Sequence, residues 1–306
     1  MIDPITLITA LIATSTPILL AAIGELVVEK SGVLNLGVEG MMIIGAVCGF
    51  MVAVGTGSPW LGFVAGMAGA TALSLVFAFL TQVLLSNQVA TGLALTLFGL
   101  GLAALLGEPY AGIIPPPTSD VFPQAMHAIP VIGPILLSHD IIIYLSVALV
   151  AATWFVLKHT RVGLILRAVG ENHDAAHALG YKVVRIRVLA IMFGGACAGL
   201  GGAYLSLVRV PSWTEGMTVG AGWIALAIVV FASWKPWRAL IGAYLFGGIA
   251  ALQLRLQAAE IGVPVALLDA SPYLVTIIVL VVISSDRSRA ALNAPAALGR
   301  VFHATS

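Results

Sequence analysis

Two short stretches of this 306-residue chain come close to motifs that carry enzyme chemistry. His173-Asp174-Ala175-Ala176-His177 sets two imidazoles one helical turn apart, the spacing by which H-E-x-x-H aims two ligands at zinc. That chemistry also needs a base with the reach of Glu and a third ligand. Asp174 is shorter by a methylene, and His159 is the nearest further candidate, so two solvated histidines are expected instead. The run Gly24 to Ser31, GELVVEKS, is one residue from the phosphate loop G-x-x-x-x-G-K-[ST]. Glu29 stands at the second Gly position, where a carboxylate repels phosphate and a side chain fills the backbone nest. The run follows an apolar helix, not a strand, so neither nucleotide binding nor ATP hydrolysis by this chain is expected. His127, His139 and His303 fall in loops or the tail. No Ser/His/Asp constellation, metal, cofactor or nucleic-acid patch is expected, and Cys48 and Cys197 read as small buried residues.

The elements that must position these residues are dictated by composition. Hydrophobic residues make up 60% of the chain and charged ones 9%, with a mean hydropathy of +1.08. Soluble domains carry about 25% charged residues, so the surface here belongs in lipid. The 33 glycines suit close helix packing. A span needs about 20 mostly apolar residues. No charge occurs from Gly40 to Gly107, a stretch that fits three spans with breaks at Gly55–Pro59 and Ser86–Gln88. Further runs lie near Ile5–Val28, Ile141–Leu157, Val188–Val208, Gly216–Trp234, Ala239–Leu254 and Leu267–Ser285. The first has no Lys or Arg before it and reads as a retained span rather than a leader. The expectation is an all-α polytopic membrane protein of about nine helices, with a range of about eight to ten because one short run could be a half-span.

Charge then orients the bundle. With the N-terminus outside, one side holds Lys30, Lys158, Arg161, Arg167, Lys182, Arg185, Arg187, Lys235, Arg238, Arg287, Arg289 and Arg300, and the other only Arg209 and Arg255. The basic side is expected to be cytoplasmic, together with the tail 286–306. Residues 1–285 form a single membrane domain on this reading. Its external loop, 108–140, has no Lys or Arg and is stiffened by Pro115, Pro116 and Pro117. Gly45 with Gly49, Gly62 with Gly66, and Gly195 with Gly199 make small-xxx-small packing ridges.

Polar groups inside or beside the spans are costly and so mark candidates. Glu25, Glu29 and Glu39 flank Lys30, with Asn35 among them; they form either a salt-bridged, hydrogen-bonded hairpin at the interface or a gate element beside the path. Gln82 ends the third span, and Asn87, Gln88 and Thr91 open the fourth. These uncharged hydrogen-bonding groups suit a polar, neutral solute. Asn35, Glu39, Asn87, Gln88 and Thr91 are the candidate path residues. An ion-coupled carrier would hide an acid at the midplane, and no span has a clear one. Trp234 and Trp237 beside Lys235 read as an aromatic belt, while Trp213 and Glu215 fall in an outer loop.

The loop 158–187 on the basic side contains RAVGENHDAAHALGYKVVRIR. Gly170 and Gly180 bracket a short helix. Asn172 can cap it, Glu171 and Asp174 suit its positive end, and Gly180 fits a left-handed stop. Small Ala175 and Ala176 would let its backbone sit closely in a groove on another protein; an interfacial anchor is the alternative.

Asp174-Ala175-Ala176 followed by Gly180 resembles the E-A-A-x-x-x-G pattern of ABC importer permeases, with Asp for Glu and without the usual Leu-Pro. The wider run GENHDAAHALG is similar to the permease family serving branched-chain amino acids, ribose and nucleosides. The runs Gly24–Ala46 and Ser86–Gly107 resemble its nucleoside and simple-sugar branch. The resemblance implies that Gly170, Glu171, Asn172, Asp174, Ala175, Ala176 and Gly180 form a coupling helix that docks on a cytoplasmic ATP-binding subunit. It also implies a second permease chain, homologous or identical, and an external solute-binding protein. The expected function is alternating-access import of a nucleoside or related base, then a ribose-like sugar, then a branched-chain amino acid, across a bacterial inner membrane. The alternatives are an ion-coupled secondary transporter or an intramembrane enzyme.

Overall fold

The computed structural model describes residues 4–258 apart from 120, 124–126, 128 and 130–132, then 264, 267, 268, 270, 271, 274, 275, 277, 278, 281 and 294–303. Within them the regular elements are helices. In chain order they are α1 (Pro4–Lys30), α2 (Val38–Thr56), α3 (Pro59–Ala78), α4 (Gln88–Gly107), α5 (Ile141–His159), α6 (Arg161–Glu171), α7 (His173–Ala178), α8 (Val183–Tyr204), α9 (Ala221–Phe231) and α10 (Pro236–Ala258). One π-helical turn extends α3 to Val83 and another extends α8 to Arg209. Among the described residues seven helices, α1 to α5, α8 and α10, are long and apolar enough to span a membrane. The span expected at Leu267–Ser285 and the tail up to Arg289 lie largely outside the described residues.

Local chemistry sets the breaks in the long charge-free run. Gly57 stops α2 at φ 69°, and Ser58 caps α3 by accepting from the Leu61 amide, with Pro59 in the first turn. Asn87 caps α4 through the Ala90 amide. The core is α1, α2 and α8, in each of which more than half of the residues are buried. All three glycine ridges meet here. A Cβ on Gly45 would strike Gly199, one on Gly199 would strike the Gly66 carbonyl, and one on Gly62 would come within 2.7 Å of the Gly49 carbonyl. In lipid such contact of backbones is a main source of helix association. Val64, Leu97 and Leu105 point outward, 62–71% exposed, as lipid-facing groups should.

One expected span differs. Within Gly216–Trp234 only the 11 residues of α9 are helical, about 16 Å of rise and half of a bilayer core. The chain nevertheless connects the two ends of the bundle. Trp213, in the loop before this crossing, is buried against Gly107 at the end of α4. Thr218 and Gly222 reach Glu39, and Trp234 reaches Glu29, next to the last residue of α1. Gly216 and Gly220, at φ 67° and 80°, keep the first half of this crossing from continuing as helix.

Candidate functional site

The segment 31–37 does not stay at the membrane edge. Its Leu34 amide donates to Gln88 Oε1 (2.8 Å) at the start of α4, and its Leu36 carbonyl accepts from Thr96 Oγ1 (3.1 Å). Eight residues of α4 separate those contacts, about 12 Å along the axis. Helix α2 therefore begins inside the bundle, at much the depth where α9 begins. The two N-termini are joined by one side chain. Glu39, 3% exposed in the first turn of α2, accepts from Thr218 Oγ1 (2.5 Å), the Gly220 amide (3.0 Å) and the Gly222 amide (2.7 Å). The positive ends of two helices and three donors make this depth tolerable for a carboxylate. Gly222 is required because a Cβ there would come within 2.6 Å of the Glu39 backbone.

The other acids are hydrogen-bonded within the protein. Glu25 accepts from the Asn35 amide (3.2 Å) and from its Nδ2 (3.3 Å), and Asn35 Oδ1 accepts from the Gly37 amide. Glu29 accepts from Trp234 Nε1 (2.5 Å), so Trp234 is a buried partner and not part of an exposed belt. Trp237 stays exposed, 6.4 Å from Trp154. Gln88 is 3% exposed, and its Nε2 has no partner among the described residues. Asn35, Glu39 and Gln88 thus belong to one buried polar layer. Asn87 is an exposed helix cap, and Thr91 is half-buried with its hydroxyl 2.8 Å from that of Ser86. The near phosphate-loop run Gly24–Lys30 forms the last turns of α1, its amides in the helix.

Between α5 and α8 the chain makes α6 and α7. Asn172 Oδ1 accepts from the Ala175 amide (2.9 Å) and caps α7. At the other end the Tyr181 amide donates to Ala176 and the Gly180 amide to His177, with Gly180 at φ 88°, which is a Schellman stop. Two expectations are corrected. Gly170 and Glu171 are the last residues of α6: Gly170 lets α6 press on the Lys30 carbonyl, and Glu171 accepts from the Ala296 amide. Ala176 faces inward, packed with Val169, Val183 and Phe302. The outward surface of α7 is Asp174, Ala175, His177, Ala178 and Leu179, the last 76% exposed.

What seats α7 is Arg187, fully buried one turn into α8. Its guanidinium donates to the Ser31 carbonyl (3.2 Å), to the Arg300 carbonyl (3.1 Å) and to His173 Nδ1 (3.2 Å). Residues 294–303 complete the seat: Ala297 donates to the Gly170 carbonyl, Gly299 to the Gly32 carbonyl, and Phe302 stacks edge-on to His173 and His177. So α7, the tail and the 31–37 segment share one set of bonds. The sequence signal for Arg187 was its place inside the start of an apolar helix, where a cation needs partners.

Because Arg187 can only donate, His173 Nδ1 must accept and its proton sits on Nε2. Burial, then the charge of Arg187, holds the His173 imidazole below its ordinary 6.5; Asp174 opposes this, and Arg300 adds to it. Folded pKa below unfolded pKa means that this seat is fully stable above about pH 6.5 and weakens as pH falls through the folded value. Amide exchange across α7, corrected for intrinsic rate, should quicken as pH falls below about 6.5. In His173→Gln that extra quickening should be absent.

Helices that start and stop inside an apolar bundle, around a buried polar layer, are an arrangement that membrane transporters use. The chain belongs to the family described as "Branched-chain amino acid transport system / permease component", whose model matches residues 7–284. It is 46% identical over 256 residues to a putative glucose ABC transporter permease protein of Haloferax volcanii, covering 82% of this chain and 78% of that one. It is 32% identical over 290 residues to the guanosine ABC transporter permease NupQ of Bacillus subtilis, 90% of each chain. A nucleoside ABC transporter permease of Lactococcus lactis is 30% identical over 290 residues, 87% of this chain and 88% of its own. No solved structure matches. The chain is a multi-pass membrane subunit of an ABC transporter, a transport component of a system that includes an ATPase and a solute-binding protein.

Proposed function

We propose that this chain imports a neutral, hydroxyl-rich solute, a nucleoside in the first instance, by alternating access. The observation that carries this is the buried layer at the meeting of α2 and α9. Its carboxylate Glu39 is taken up by Thr218, Gly220 and Gly222, and Glu25 by Asn35 of the same layer, while the amide Nε2 of Gln88 is left over. A neutral donor facing the path favours a carbonyl, ring nitrogen or hydroxyl over an ion. The guanosine and nucleoside relatives support a nucleoside; the 46% identical relative named for glucose supports a sugar as the second reading.

The basic side, with α6, α7 and the tail, faces the cytoplasm on this account. The exposed face of α7 docks on the ATP-binding subunit, and a second permease chain, homologous or identical, completes the path. ATP binding moves α7, and the Arg187 bonds carry that movement into Ser31 and the 31–37 segment, which bonds Gln88 and leads into the start of α2. In reconstituted transporter with its ATPase and binding protein, labelled nucleoside uptake should be saturable and ATP-dependent, with unlabelled nucleoside competing better than glucose. Better competition by glucose would favour the sugar reading. Gln88→Leu should raise the half-saturating solute concentration about tenfold, the worth of one buried neutral hydrogen bond, with ATP hydrolysis retained. Unchanged uptake would remove Gln88 from the path.

A further inference from the structure

A cleft of about 470 Å³ opens between the last turns of α5, helix α6 and the first turns of α8. Its floor is buried Leu157, Leu166 and Ala190; its walls include exposed Val162, Leu189 and Tyr181. The volume falls within the range of about 300–1,000 Å³ typical of small-ligand sites. The cleft is almost wholly apolar.

Four exposed cations adjoin the lining residues in sequence, and the acids Glu171 and Asp174 lie at the turn from α6 to α7 between the two lining segments. Lys158, Arg161, Lys182 and Arg185 are all exposed, and each is the chain neighbour of a lining residue: Leu157, Val162, Tyr181 and Ile186. Neither 141–170 nor 175–214, the segments that supply every lining residue except Val27, contains an Asp or Glu. Trp154, with the Lys158 ammonium 5.3 Å over its ring and Trp237 beside it, marks this level as the boundary between hydrocarbon and water.

We propose that the cleft is a binding site for one anionic phospholipid. An acyl chain fills the apolar space, and the phosphate lies among the four cations. An acyl chain brings no amide into the cleft that would need a partner, and cationic pockets beside membrane helices favour anionic headgroups. A bound lipid would brace α6 against α5 and α8 at the root of α7. The proposal needs only that the chain spans a membrane, so it stands or falls independently of the solute and of the docking role of α7.

The test uses the purified full chain in detergent, doped with either phosphatidylglycerol or phosphatidylcholine and read by native mass spectrometry. The native chain should retain about one phosphatidylglycerol per copy, with phosphatidylcholine at least about tenfold less retained, given four cations each adding several-fold. The variant K158Q/R161Q/K182Q/R185Q should hold the two lipids equally. Leu189→Trp, which fills the cleft mouth and keeps the charges, should lose both. Helix content and melting temperature are followed in each variant. Equal retention of the two lipids by the native chain overturns the proposal whether or not the variants fold. So does retention of phosphatidylglycerol by both variants, or cross-linking of Leu189→Cys chains to each other, which would show that a second copy covers the cleft.

Discussion

Replacing Ala175 with Trp should cut ATP-driven uptake by about 30-fold or more while the chain still inserts and keeps its helix content. Ala175 lies on the exposed side of α7, beside Asp174 and opposite buried Ala176, so an indole there displaces nothing within the subunit. It does stand between the α7 backbone and whatever docks on it. Loss of one central docking contact costs about 2 kcal/mol, which is about 30-fold, and a bulky obstruction costs at least that. The same variant should leave permease-independent ATPase activity unaltered and abolish its stimulation by solute-loaded binding protein. Gly180→Pro should act in the same direction for a different reason: a residue fixed at negative φ cannot occupy φ 88°, and the Gly180 amide that bonds His177 is removed. Uptake at the native rate by both variants would mean that α7 is an interfacial anchor only.

Gly199→Val should be strongly destabilising in the membrane core. The new side chain would collide with the Gly66 carbonyl and the Ala70 methyl, at the point where α2, α3 and α8 all touch. Backbone cannot yield as a side-chain tip can, and overpacking of a filled core costs about 1–3 kcal/mol or more. The expected result is a large fall in the thermal midpoint of the detergent-solubilised chain. Gly101→Ala is the matched control. Nothing lies within 4 Å of a Cβ at Gly101, in the middle of α4, so this change should be neutral or stabilising by about 0.5–1 kcal/mol. Equal midpoints for the two variants would show that the glycine seam is not what holds the bundle.

The spans and their ends were legible because their causes are local. Gly57, Ser58 and Pro59 punctuate an apolar run whatever surrounds it, and Asn172 and Gly180 cap α7 through bonds to residues within five positions. The polar layer was only half legible. Glu39, Asn35 and Gln88 could be singled out as costly in an apolar stretch. The partner of Glu39 is 179 residues away, however, and nothing local to either residue announces it. The half-helix α9 was hidden for a related reason: an apolar crossing has the same composition whether helical or irregular, provided that its bare backbone is buried in protein. Trp234 followed the habit of interfacial tryptophans until Glu29 supplied a buried acceptor. Asn87 and Thr91 were grouped with Gln88 by sequence proximity. Successive residues on a helix point about 100° apart, and only Gln88 faces the 31–37 segment.

The central claim, that ATP-driven movement enters through α7 from the cytoplasm, is tested most directly by thiol labelling of Ala175→Cys. In sealed vesicles of defined orientation, a membrane-impermeant maleimide should label this cysteine only when the cytoplasmic face is outward, and the ATPase subunit should protect it. Labelling from the opposite face, or equal labelling with and without the ATPase, would contradict the account.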